Sequence, residues 1–193
     1  MAESSLDSLR ETHEVEVEWR AFELRPEGTP PIPPEVEAAH RARIAAGWPR
    51  VQTIARERFG LELRRTEGEA HHPTRPAHVG AKFANERGKG REYHHAVFCA
   101  HWQALRDISS PDVLAEIAVG VGLDEAGFRA ALVDENYVTA VETDEYWAWQ
   151  QGLSGVPAFI FGNRYLVSGA QPPELLRQVA DKCLEEGLIM EKP

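Results

Sequence analysis

The run Gly155-Val156-Pro157-Ala158-Phe159-Ile160-Phe161-Gly162-Asn163-Arg164-Tyr165-Leu166-Val167-Ser168-Gly169-Ala170-Gln171-Pro172-Pro173 decides how this chain reads. Ala158 to Phe161 and Tyr165 to Val167 are short β-prone runs. The Gly162-Asn163 pair between them suits a tight hairpin turn, whose central residues need positive φ. Gln171-Pro172-Pro173-Glu174 then opens a helix. A proline directly ahead of a strand has no N–H for the ladder, so Pro157 either starts the strand or turns the chain into it. A cis Val156–Pro157 bond is expected here.

Outward from this run, Glu174 to Glu186 reads as a closing helix with Leu175, Leu176, Val179, Cys183 and Leu184 on one side and Gly187 as its stop. At the other end of the chain, Leu6, Leu9 and Arg10 have the spacing of a helix's last turns, with no capping sequence for a full helix before them. From Val15 the period becomes two, with Val15, Val17, Trp19 and Ala21 on one face and Glu16, Glu18 and Arg20 on the other. That pattern predicts a strand with one covered face. Arg25 to Pro34, with Pro26, Pro30, Pro31, Pro33 and Pro34, is a loop of extended backbone.

Residues from about 35 to 150 read as a succession of helices. One covers Glu35 to Ala46. Another starts at Trp48-Pro49, carries Val51, Ile54 and Phe59, and ends at Gly60. Thr74 can cap a helix bearing Ala77, Val79 and Phe83, and Tyr93 to Leu105 is a further amphipathic segment. Ser110-Pro111 is a strong start, a hydroxyl cap followed by proline at the first helical position, with Gly122 as the stop. Asp124 caps the next short helix, and Asn136 to Gln151 forms the last of the block.

The Gly-Val-Pro, hairpin and Val-Ser-Gly-Ala-Gln-Pro-Pro series at Gly155 to Pro173 resembles the C-terminal signature of DsbA-family thioredoxin-fold oxidoreductases, in particular their FrnE-like branch. Val15 to Leu24 is similar to that family's second core strand, and Arg106-Asp107-Ile108 lies where its helical insert has such a turn. The resemblance implies an α/β, thioredoxin-like fold with a large helical insertion: residues 1–33 and 151–193 as the core, 34–150 as the insertion. It also implies a Cys-x-x-Cys just after the first core strand, and the sequence has none. In the family's arrangement that strand lies centrally, between the one at Val15 and the one at Ala158. Without it two flanking strands lose ladder partners, at about 1 to 3 kcal/mol for each buried peptide group left unpaired. A net stability of roughly 5 to 15 kcal/mol does not absorb several such losses. The expectation is therefore a chain incomplete at its N-terminus, its first central strand and cysteine pair lying upstream of Met1 or lost.

Composition narrows the partners. At 193 residues and 42% hydrophobic, the chain has material for one good core and one domain carrying an insertion. A formal net charge of −10 disfavours nucleic acid and anionic membrane as partners. The stretch Met1 to Asp7 has neither the cationic nor the apolar region of a signal peptide, so the cytoplasm is the expected address. A homodimer is compatible with all of this.

Candidate chemistry is sparse. Val156-Pro157 has two readings: a loop whose exposed backbone pairs with an extended substrate, or a proline that merely shapes a turn. The expected substrate-binding residues are Gly155, Val156 and Pro157, with no catalytic residue. Cys99, in Ala96 to Trp102, and Cys183, on the closing helix, both read as small core hydrophobes. The histidines, notably His71-His72, His94-His95 and His101, read as solvated groups rather than metal ligands, and no cofactor is expected. Trp48, Trp102, Trp147 and Trp149 read as core or groove lining, and the acidic runs Glu14-Glu16-Glu18 and Glu142 to Glu145 as solvated faces.

The function the resemblance implies is DsbA-like thiol-disulfide exchange on a protein or small thiol or disulfide, inactive as written for want of the cysteine pair. One alternative is a glutathione-dependent isomerase or transferase of 2-hydroxychromene-2-carboxylate isomerase or kappa type. There a serine takes the nucleophile's place, but Ser4 and Ser5 fall inside the helix rather than at its start. A second alternative is a peptide-binding module without chemistry.

Overall fold

The hairpin forms where its residues call for one. In this computed structural model, which describes residues 1–26, 28–65 and 73–188, β1 (Ala158–Phe161) runs antiparallel to β2 (Tyr165–Ser168), with Ala158 opposite Ser168 and Phe161 opposite Tyr165. Gly162 and Asn163 both take φ of 55°. The Arg164 N–H closes the turn on the Phe161 carbonyl at 2.9 Å. A side chain at Gly162 would also crowd the end of the closing helix, because a Cβ there would lie 3.4 Å from Cys183 Sγ and 3.0 Å from Leu188 Cβ just past the helix.

The chain divides into two units, Met1–Trp19 with Trp149–Pro193, and Arg20–Ala148. In the first, α1 (Ala2–Arg10) packs on α8 (Pro173–Glu185), and α8 packs on β1. Leu6, Leu9, Val167, Leu176 and Ala180 form its buried core, flanked by Val15, Val17, Trp19, Phe159 and Phe161. The strand expected from Val15 does not form. Its side chains do alternate, with Val15, Val17 and Trp19 half-buried and Glu14, Glu16, Glu18 and Arg20 exposed. Among the described residues, however, the only ladder is β1 with β2. Burial of one face sets the period of a segment, but a strand also needs a neighbour to pair with.

The second unit is helical: α2 (Pro34–Phe59), α3 (Arg75–Glu86), α4 (Gly90–Trp102), α5 (Pro111–Gly120), α6 (Glu125–Ala131) and most of α7 (Glu135–Gln150). Its core gathers Phe83, Tyr93, Leu114, Ala118 and Phe128, with Phe83 edge-on to Phe128 at 5.7 Å between ring centres. Two caps act as expected. Ser110 Oγ accepts from the Val113 N–H at 3.5 Å, and Asp124 Oδ2 accepts from the Gly127 N–H at 2.7 Å. Thr74 stands at the start of α3 but its hydroxyl makes no cap bond, because its backbone is already helical (φ −102°, ψ −5°).

The two helices expected over 35–60 are one. Pro49 lies inside the 26-residue α2, where it removes one N–H and crowds the carbonyl one turn back. The flanking turns are held independently of that bond: Trp48 stacks on Trp102 at 5.9 Å, and Gln52 Nε2 donates to the Leu63 carbonyl at 2.9 Å. The helix ends at Gly60 in the left-handed region (φ 64°), with the Leu61 and Gly60 N–H groups bonded to the Ala55 and Arg56 carbonyls. Among the described residues no helix is long and apolar enough to cross a membrane.

Candidate functional site

Gly155, Val156 and Pro157 form the bend that delivers the chain into β1. The Val156–Pro157 bond is cis. Ladder pairing begins one residue later, at Ala158, and the Pro157 carbonyl is already occupied by the Gly169 N–H at 2.8 Å. Gly169, at φ 82°, turns the chain away just after β2 and so supplies this bond. Val156 is left outside the pairing: among the described residues its N–H and C=O make no backbone hydrogen bond, and its side chain is 51% exposed. A side chain at Gly155 would meet nothing within 4 Å, so sterics alone do not require glycine there.

The two cysteines differ from each other. Cys183 is a core residue of α8, and burial, with Glu186 adding to it, pushes its thiol up. Cys99 is half-buried rather than a core residue, and its Sγ lies 3.5 Å from His95 Nε2 one turn back along α4. The two form no disulfide with each other. His94 stacks on Phe98 at 4.6 Å and His101 meets the edge of Trp102. His71-His72 lies outside the described residues. Among the described residues no three His, Cys, Asp or Glu side chains converge as metal ligands would.

Two other sequence expectations are corrected. Trp149 is 72% exposed, on the last turn of a helix whose inner positions are Val141, Asp144 and Ala148. The run Glu142 to Glu145 is not a solvated face. Asp144 is only 4% exposed; its Oδ2 accepts from the Ala21 N–H at 2.7 Å and pairs with Lys82, while Oδ1 meets Arg20 at 3.3 Å. Glu23 is likewise buried against Arg75 at 2.9 Å. These partners are far apart in sequence, and nothing local marks them.

The DSBA family model, a DSBA-like thioredoxin domain, matches residues 1–180. The uncharacterized protein YwbO of Bacillus subtilis (strain 168) is 31% identical over 170 residues, which span 88% of this chain and 83% of YwbO. A probable DsbA oxidoreductase from Streptomyces coelicolor has a similar structure, with a TM-score of 0.81 at 30% identity over 98% of this chain and 86% of that one. A 2-hydroxychromene-2-carboxylate isomerase has a TM-score of 0.70 at 14% identity over 97% and 93% of the two chains, a likeness of fold alone. The hairpin, the closing helix and the helical block together match this family across nearly the whole chain, so the chain belongs to the family of DSBA-like thioredoxin domains, α/β proteins of thioredoxin-like fold with a helical insertion.

Proposed function

We propose that this chain is the substrate-binding framework of a DsbA-like thiol-disulfide oxidoreductase, in which Gly155, Val156 and Pro157 form the wall against which a protein or small thiol or disulfide substrate lies. The observation that carries the reading is the backbone of Val156, which makes no backbone hydrogen bond among the described residues. It stands at the open end of β1, exposed, while the Pro157 carbonyl is engaged by Gly169. An unpaired main-chain donor and acceptor at a strand end recruits an extended peptide as an added strand.

Exchange itself needs a thiolate that attacks a substrate sulfur and a second thiol that resolves the mixed disulfide. This chain's own thiols are poorly suited to that pair of roles. Cys183 is enclosed, its thiol is held protonated by burial, and it sits against Gly162, at the far end of β1 from Pro157. That leaves Cys99 without an accessible resolving partner among the two cysteines of the sequence. The 193-residue chain therefore binds without turning over. Insulin reduction monitored with dithiothreitol tests this, and the expected rate is the reductant's own background. A rate above background that disappears on Cys99→Ser or Cys183→Ser replacement would overturn the reading.

A glutathione-using reading requires a serine presented at a helix start. Ser5 is fully buried, and its Oγ donates to the Gln171 carbonyl at 2.8 Å. That bond commits the hydroxyl to structure and weighs against the alternative.

A further inference from the structure

A buried set of ionisable groups lies in the helical unit, where the segment 20–24 runs against α3 and α7. Arg75 of α3 faces three carboxylates: Nε meets Glu23 Oε2 at 2.9 Å, Nη1 meets Glu142 Oε1 at 3.1 Å, and Nη2 meets Glu145 Oε2 at 3.6 Å. One guanidinium cannot neutralise three negative charges. Glu142 is exposed and water screens it, but the Glu23 side chain is 2% exposed and that of Glu145 18%.

The remaining charges nearby are committed elsewhere. Lys82 of α3 pairs with Asp144 of α7. Arg20 meets Asp144 at 3.3 Å and lies over the Trp147 ring at 4.4 Å. His78 of α3, bonded to the Phe22 backbone, is kept neutral by burial against the pull of Glu23 and Asp144. Among the described residues Glu145 Oε1 is buried and makes no hydrogen bond, an expensive state for a carboxylate oxygen. A proton placed on it turns the Glu145 carboxyl into a donor, with the neighbouring Glu23 carboxylate as acceptor.

We propose that the Glu145 carboxyl carries a proton that it donates to the Glu23 carboxylate, and that this hydrogen bond is a latch holding the segment 20–24 to α7. The chain enters this unit at Arg20 and leaves it after Ala148, so the latch ties the entering stretch to the leaving one. Burial first, then the Glu23 side chain, pushes the Glu145 carboxyl up to about 7, with Arg75 and the Glu23 backbone opposing. The folded form thus holds this proton more tightly than the unfolded chain does. The latch is complete below the ordinary value of 4.5 and is lost as pH rises through about 7. His78 acts with the opposite sign, on the acid side, so a variant comparison is needed to isolate the latch.

Hydrogen exchange of the backbone amides 20–24 at pH 6 and pH 8, corrected for intrinsic rates, tests the latch. In the wild type, protection falls about tenfold between the two conditions, the scale set by one released proton. In Glu145→Gln, whose amide donates to Glu23 at every pH, protection stays level; in Glu142→Gln, at the exposed member of the trio, the wild-type fall persists. Level protection in the wild type, or the same fall in Glu145→Gln, overturns the proposal. If Glu145→Gln does not fold, carboxyl carbon shifts of the intact wild type decide. A glutamate midpoint near neutrality upholds the proposal, and midpoints all in the ordinary glutamate range overturn it.

Discussion

The Ser5 hydroxyl donates to the Gln171 carbonyl at 2.8 Å, joining the first helix to the turn that opens the last one. The same pair of helices is tied again by Arg177, whose Nη2 reaches Ser8 Oγ at 2.6 Å and the Ser8 carbonyl at 3.3 Å. Together these bonds fix α1 and α8 around Leu6, Leu9 and Leu176, the floor on which the hairpin rests.

Ser5→Ala removes a donor from a buried site and leaves the Gln171 carbonyl without it. The expected loss is about 1 to 2 kcal/mol, read from the urea midpoint. No change in that midpoint would mean that the bond is made equally well by water.

Gly80 and Tyr93 meet in the core of the helical unit. A Cβ at Gly80 would collide with the Tyr93 hydroxyl and lie 2.7 Å from Phe128 Cζ, and both rings are fully buried. Gly80→Ala is expected to cost about 1 to 3 kcal/mol or more. Tyr93→Phe is expected to be neutral or stabilising by up to about 1 kcal/mol, since the buried hydroxyl has no partner among the described residues. Thermal melts of the two variants should therefore shift in opposite directions, or only the first should shift.

Asp144 holds the Ala21 N–H, Lys82 and Arg20 at once. Asp144→Ala strands a buried amide and a largely enclosed ammonium, at an expected cost of about 3 to 5 kcal/mol. Asp144→Asn keeps an acceptor for Ala21 and should cost less. Denaturant titration of both variants checks the order.

His78 titrates below the ordinary imidazole value because burial disfavours its charged form, while Glu23, Asp144 and a bond to the Phe22 backbone oppose the shift. The unfolded chain then binds the proton more readily than the folded one. Stability contributed at neutral pH is lost as pH falls below the ordinary value of 6.5. Between pH 7 and pH 5, His78→Gln should lose less stability than the wild type. Equal losses would place the titration elsewhere.

Much of this structure is legible where its physics is local. Gly162 and Asn163 spell a turn because both must take positive φ, Ser110 and Asp124 spell helix starts because their oxygens reach an N–H three residues on, and Gly60 spells a stop. What is not legible depends on partners distant in sequence. Val15 to Ala21 has the period of a strand, but period does not supply a neighbour to pair with. Pro49 reads as a start, but the stack of Trp48 on Trp102 helps carry α2 through it. Asp144 and Glu145 look solvated in an acidic run, because Arg20, Glu23, Arg75 and Lys82 reach them only in the folded chain. At the candidate site, Val156 and Pro157 stand out in the sequence, while the bond from Gly169 that leaves Val156 outside the pairing is visible only in the structure.

The most direct test of the substrate-binding wall is a titration of the isotope-labelled 193-residue chain with an extended, disulfide-containing peptide, followed through backbone amide shifts. The prediction is saturable movement centred on Val156, Ala158 and Gly169. Saturation with no movement at these amides, or movement confined to the helical unit, would contradict it.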